Sequence, residues 1–286
     1  MKTRHDDRYE DDATSSREVA RLYREAIYDD DREVSLALLH YRGGEEEFRL
    51  GKEYCASEDP GDRATGADIL AQLGWYDQTF RDESIEILRG LLSDSDVYVV
   101  YCAAVGLGHR RAKSAIPDLL TLAAHSDPLV RYGVVLGLSG HKDDQAIAAL
   151  IHLAGDEDHD VRNWAVFGLG SQIDTDSPEI REALRRALND PDHEIRGEGL
   201  VGLAIRGDST IVPELFNEWR DNEVSILSVE AAEECRDPRL YHRLRQFKET
   251  LSLENDPHFA SRLAAAIEAC KPEREQSVLP NANPPP

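Results

Sequence analysis

The chain has 286 residues, with 56 acidic against 33 basic side chains and a net charge of −23; its length supports one large domain or two small ones. So acidic a surface repels phosphate backbones and anionic lipid, which argues against nucleic-acid or membrane-surface binding and leaves a basic protein partner compatible. With one methionine and 7% aromatics, the apolar load falls on Ala, Leu, Ile and Val, a balance that favours closely packed helices over a sheet.

Residues 1–16, opening "MKTRHDDRYEDD", are acidic, carry no apolar run of the signal-peptide kind and predict disorder. Residues 17–58 read as helical and predict an N-terminal cap. From Asp59 a repeat takes over. "DVYVVYCAAVGLG" begins at Asp96, "DPLVRYGVVLGLS" at Asp127 and "DHDVRNWAVFGLG" at Asp158, a step of 31 residues each time (127 − 96 and 158 − 127). "DHEIRGEGLVGLA" follows at Asp192 after the longer turn "QIDTDSP", and looser matches start at Asp31, Asp59, Asp221 and Asp256. A period near 31 is the mark of stacked supersecondary units.

Each unit has one chemistry. The leading aspartate sits where a helix N-cap belongs, accepting free amide hydrogens. Apolar positions such as Val161, Ala165 and Leu169 then fall four apart on one helical face. Gly106, Gly137, Gly168 and Gly202 recur at one position, where a neighbouring helix is expected to pass close, because a helical glycine otherwise costs about 1 kcal/mol. After a short polar turn comes a second helix, as in "AIPDLLTLAAH" or "EIREALRRALN", with Pro117 and Pro213 in the first turn, where a missing N–H is harmless. The fold class is therefore all-α: an α-solenoid of about six to eight helical hairpins over residues 59–270. Residues 271–286, "KPEREQSVLPNANPPP", predict a proline-rich disordered tail.

Cys55, Cys102, Cys235 and Cys270 lie far apart with no C-x-x-C pair, neither a disulfide framework nor a zinc pattern, and imply a reducing compartment. No run reaches the length of a membrane span. The expected location is cytoplasmic.

With the units aligned, "DPLVRYGVVLGLSGHKDDQAIAALIHLA" and "DHDVRNWAVFGLG" resemble the bacterial HEAT-like repeat first described in phycobilin lyases. The resemblance implies that the second helices line a concave binding surface. It also implies an Asp–Arg ladder between adjacent repeats, drawn from Asp127, Arg131, Asp158, Arg162, Asp192 and Arg196. Arg63 occupies the same position, while Val100 and Ser225 interrupt the series.

No residue set points to catalysis. Asp158 and Arg162 have counterparts in register and read as structural. His159 and His193, beside Asp160 and Glu194, could share a metal only by leaning across adjacent helical layers about 8–10 Å apart. A two-iron hydroxylase of this fold needs several His-Glu pairs, and His193-Glu194 is the only one. An alkylpurine glycosylase needs a basic groove. No phosphate loop or nucleophile triad is present, and no cofactor is implied.

The candidate partner-binding residues are Tyr101, Tyr132 and Trp164 from an aromatic series on the first helices, which also includes Tyr98 and Phe167. On the second helices they are His152, Arg181, Arg185 and Glu214; Arg181, Arg185 and Arg186 form a small basic spot. Aromatic side chains are frequent interface anchors. The first reading is a non-enzymatic protein-binding module, in its sharper form an acidic inhibitor or immunity-type protein for a basic effector. The alternatives are a lyase-like enzyme or chaperone handling a bilin, and an assembly scaffold.

Overall fold

The computed structural model describes residues 12–26, 31–74, 77–220, 224–251 and 256–272. The described residues hold α-helices and two short 3-10 turns, with no strand. The expected disorder at 1–16 and 271–286 falls mostly outside the described residues, as does Asp221. The chain divides into two units, residues 1–164 and 165–286, each taken by itself below.

The first unit opens with α1 (Ser16–Glu25), α2 (Asp31–Arg42) and α3 (Glu45–Cys55). Val19, Ala20, Leu38, Leu39 and Leu50 from these helices close over Ile69 and Leu73, so the predicted cap segment buries an apolar face against the first repeat. Three hairpins follow: α4 (Pro60–Ala71) with α5 (Arg81–Leu91), α6 (Val97–His109) with α7 (Ile116–Leu122), and α8 (Pro128–Leu138) with α9 (Asp144–Leu153). The first helices α4, α6 and α8 pack side by side; α5 packs on α4 and on the following first helix α6, α7 packs on the following first helix α8, and α9 packs on its own first helix α8. This layering needs an apolar stripe: on α8, Val130, Val134 and Leu138, spaced by four, are wholly buried.

Helix α10 (His159–Gly170) carries the division between the units. In the second unit, α11 (Pro178–Ala187) packs against α12 (His193–Ile205). Helices α13 (Ile211–Glu218), α14 (Ile226–Cys235), α15 (Tyr241–Thr250) and α16 (Pro257–Ala269) follow. The first helices α12, α14 and α16 again lie side by side. The looser sequence match at Asp221 is out of frame here: α14 is capped by Ser225, which accepts from the Ser228 amide, four residues beyond Asp221. The serine that seemed to replace a ladder arginine is a helix cap.

Two features of the repeat rest on close geometry. The leading aspartates cap their own helices: Asp96 accepts from Tyr98 and Val99 N at 2.9 and 3.2 Å, Asp127 from Leu129 N at 2.9 Å, Asp158 from Asp160 and Val161 N at 3.0 and 3.1 Å, and Asp192 from Glu194 N at 2.7 Å. At two of the recurrent glycines a neighbouring backbone comes close, whereas a Cβ on Gly106 would meet the Leu88 and Ala71 side chains at 3.1–3.3 Å. A Cβ on Gly137 would lie 2.8 Å from the Ala104 carbonyl oxygen, and one on Gly202 would lie 2.7 Å from the Gly170 Cα.

Candidate functional site

Arg63, Arg131 and Arg196, each four residues after a leading aspartate, hold the loops together, and the acid that each grips is not that aspartate. Arg131 sends Nε and Nη2 to both Asp156 oxygens at 2.8 and 2.7 Å, and Nη1 to the carbonyls of His125 and Ser126. Arg63 does the same with Asp94 at 2.6 and 2.8 Å and with the carbonyls of Ser57 and Glu58. Arg196 pairs with Glu218 at 2.6 and 3.1 Å and binds the carbonyls of Asp190 and Pro191. Arg162 donates to the carbonyls of Asp156 and Glu157. The ladder acids Asp94 and Asp156 stand two residues before the next leading aspartate, and each also accepts that residue's amide, at 2.9 Å in both cases.

The ladder is interrupted at the Asp96 repeat. Val100 replaces the arginine of the Asp96 repeat, and two residues before the next leading aspartate stands His125, whose Nδ1 accepts the Asp127 amide at 3.0 Å. Arginine and acid are absent from the same rung, so no charge is left uncompensated. Pairing sets the electrostatics elsewhere: the Arg63 guanidinium holds the Asp94 carboxyl below its ordinary range. For Asp156 burial acts upward, and the bonds from Arg131 and the Asp158 amide outweigh it, leaving the group lowered.

A second set of arginines lies outside the repeat frame. Arg206 donates to the carbonyls of Leu169, Gly170, Ile173, Thr175 and Gly202. Arg110, 1% exposed, donates to Leu70 O at 2.8 Å. Both place a cation at the carboxyl end of a first helix, where unpaired carbonyls concentrate negative charge. Burial, then neighbouring Arg81, lowers Arg110 to about 10. Sequence patterning missed this pair because the equivalent positions in the intervening repeats hold His141 and Gln172.

The predicted partner-binding residues divide into those the structure engages and those it exposes. Arg181 pairs with Asp176 and donates to the Arg206 carbonyl, and Arg181 and Arg185 converge on the buried Asp208 at 3.5 and 2.6 Å. The basic spot is thus largely neutralised by its own neighbours. His152 is exposed at the end of α9. Glu214 is exposed on α13 and accepts from Asn217 at 3.1 Å. These four side chains lie on second helices of both units: His152 on α9 in the first, and Arg181, Arg185 and Glu214 on α11 and α13 in the second.

The aromatic residues are brought together. Within the first unit, Tyr98 and Tyr101 of α6 have ring centroids 5.9 Å apart, Tyr101 and Tyr132 of α8 5.7 Å, and Tyr132 and Trp164 of α10 6.2 Å. The outer rings Tyr98 and Trp164 are 42% and 39% exposed; the inner two are half-buried. Tyr101 and Tyr132 have phenols pushed up by burial, with a further contribution at Tyr132 from Asp160. Tyr23 donates to the Asp68 carboxylate at 2.6 Å, and Asp68 also acts on Tyr101.

His159 Nδ1 lies 2.9 Å from Asp160. Among the described residues no group of three or more His, Cys, Asp or Glu side chains is placed to hold a metal ion. Among the same residues no helix is long and apolar enough to cross a membrane. Cys55, Cys102 and Cys270 are buried and Cys235 half-buried, all as free thiols; burial pushes Cys55 and Cys270 up to about 12, so neither is poised as a nucleophile.

The model of HEAT repeats matches residues 85–170 and 152–236. Among solved structures, YibA from Escherichia coli is similar at 26% identity and a TM-score of 0.65, over 90% of this chain and 92% of that one. Human deoxyhypusine hydroxylase in complex with glycerol aligns at 15% identity and a TM-score of 0.35, over 89% of this chain and 95% of that one. No match is found among the curated proteins. The matched repeats span more than half of the sequence, and the chain belongs to the HEAT-repeat family.

Proposed function

We propose that this chain is a non-enzymatic protein-binding module whose acidic surface holds a basic protein partner, as an inhibitor or immunity-type protein would mask a basic effector. The observation that carries the reading is the disposition of its charge. Acids outnumber bases by 23, and the arginines Arg63, Arg131, Arg162, Arg181, Arg196 and Arg206 are committed to internal carboxylates and carbonyls. Much of the surplus acid therefore has no internal cation and raises the local concentration of a cationic partner. The HEAT-repeat fold supports the same reading, because a stack of hairpins offers an extended surface.

The test is capture of a basic partner by the immobilised full chain at low and at moderate salt. One specific basic protein, bound tightly and weakened at least tenfold by 0.5 M salt, is the expected result. Retention of no specific partner at low salt overturns the reading.

A further inference from the structure

We infer that the Tyr98–Tyr101–Tyr132–Trp164 stripe is a docking strip for an extended, arginine-bearing segment of the partner. This rests on the reading of the chain as a binder of a basic protein and assigns that partner's contact to one face of the first unit.

Three observations carry it. The rings form a continuous series with 5.7–6.2 Å between neighbours, and the two outer ones are 42% and 39% exposed, although apolar residues on the side of α6 and α8 opposite Tyr101 and Tyr132, such as Val99 and Val134, are wholly buried. Contiguous rings that reach solvent at both ends of a series are suited to anchoring a partner. The spacing fits an extended chain: side chains two residues apart point to one side and advance about 6.7 Å, close to one ring of the stripe.

Charge selects the occupant. Asp160 lies one helical turn before Trp164 on α10, with its side chain 72% exposed, and its charge also reaches Tyr132. The arginines on α8 and α10, Arg131 and Arg162, donate to a ladder carboxylate and to loop carbonyls. A ring face attracts a cation, and a neighbouring carboxylate adds to that attraction. Guanidinium suits the site better than ammonium, because its plane stacks on a ring while its edge donates to a carboxylate.

The experiment is calorimetric titration of the full chain with three synthetic nonapeptides in which serine alternates with arginine, lysine or citrulline. The arginine peptide is expected to bind at least fivefold more tightly than the lysine peptide, and the citrulline peptide at least tenfold more weakly than the arginine peptide. Trp164→Leu and Tyr132→Leu are each expected to weaken the arginine peptide about tenfold. Tyr98→Ser, at an exposed end, and Asp160→Lys, with a side chain 72% exposed, keep the test valid should an inner variant fail to fold; each is expected to weaken binding threefold or more. Equal binding of the arginine and lysine peptides, unchanged in all four variants, overturns the strip and leaves the acidic-surface reading standing. Absence of binding by any cationic peptide also overturns the strip, and the capture experiment then decides the broader reading alone.

Discussion

The two units use one repeat frame and put opposite chemistry on the same helix face. In the first unit, the positions five and six residues after the cap hold Tyr101, Tyr132 and Trp164, which stack as a series. In the second they hold Glu198 on α12, Glu230 on α14 and Arg262 on α16. Arg262 bridges Glu230 at 2.6 Å and Glu233 at 3.4 Å. The ladder differs as well. The Arg131–Asp156 rung of the first unit is buried, with side chains 8% and 9% exposed, whereas the Arg196–Glu218 rung of the second is 24% and 26% exposed. Caps, apolar stripes and glycines set how hairpins stack; residues that the stacking does not constrain are where the units acquire separate character.

The largest expected effect tests the ladder. Arg131→Met removes a bidentate pair and leaves the Asp156 carboxylate buried without its cation, a loss of about 3–5 kcal/mol. Arg196→Met opens a rung that water already reaches, and the exposed pair itself is worth about 1 kcal/mol or less. Urea denaturation of the two variants measures both. Equal losses would show that burial does not distinguish the rungs.

The recurrent glycine gives a smaller effect that is common to both units. Gly137→Ala drives a Cβ toward the Ala104 carbonyl in the first unit, and Gly202→Ala drives one onto the Gly170 backbone in the second. Crowding of this kind costs about 1–3 kcal/mol, against a gain of about 1 kcal/mol in helix propensity. A net fall in thermal midpoint is expected for both. A rise in either would mean that its helices separate easily, and the shared frame would hold in one unit only.

Much of this frame was legible in the sequence. The 31-residue step, the capping aspartates and the close-contact glycines all follow from local rules that act within one helix or between neighbours. The ladder was misassigned because the aspartate that stands out, the cap, is not the one that pairs. The signal was nonetheless present: Asp94, Asp156 and Asp190 recur two residues before Asp96, Asp158 and Asp192, and His125 departs from the series where Val100 does. The basic spot at Arg181 and Arg185 was misleading for a different reason. Its neutralising partner, Asp208, follows α12, more than twenty residues on in the chain, and such pairing depends on tertiary placement that helical spacing does not encode. The aromatic series was visible as residue types, but its continuity depends on how α6, α8 and α10 bring the rings together.

The smallest expected effect sharpens the comparison at the charged face of the second unit. Burial raises the Glu198 carboxyl to about 7, with Glu230 and Glu194 adding to the shift; Arg262 is engaged with Glu230 and Glu233. A carboxyl whose folded value lies above its unfolded value binds more protons when folded. Its contribution is therefore greatest at low pH and declines as pH rises from about 4.5 to about 7. Asp94 works on the opposite limb: Arg63 holds it low, so its contribution is present at neutral pH and is lost as pH falls below the ordinary aspartate range near 3.8. Glu198→Gln should flatten the decline between pH 4.5 and 7, raise the thermal midpoint at pH 8 and leave the acid limb unchanged. Thermal melts of wild type and variant from pH 3 to 8 read this directly. A parallel pH dependence in the two proteins would show that Glu198 ionises without cost, and the second unit's face would then be an ordinary solvated surface rather than a strained one.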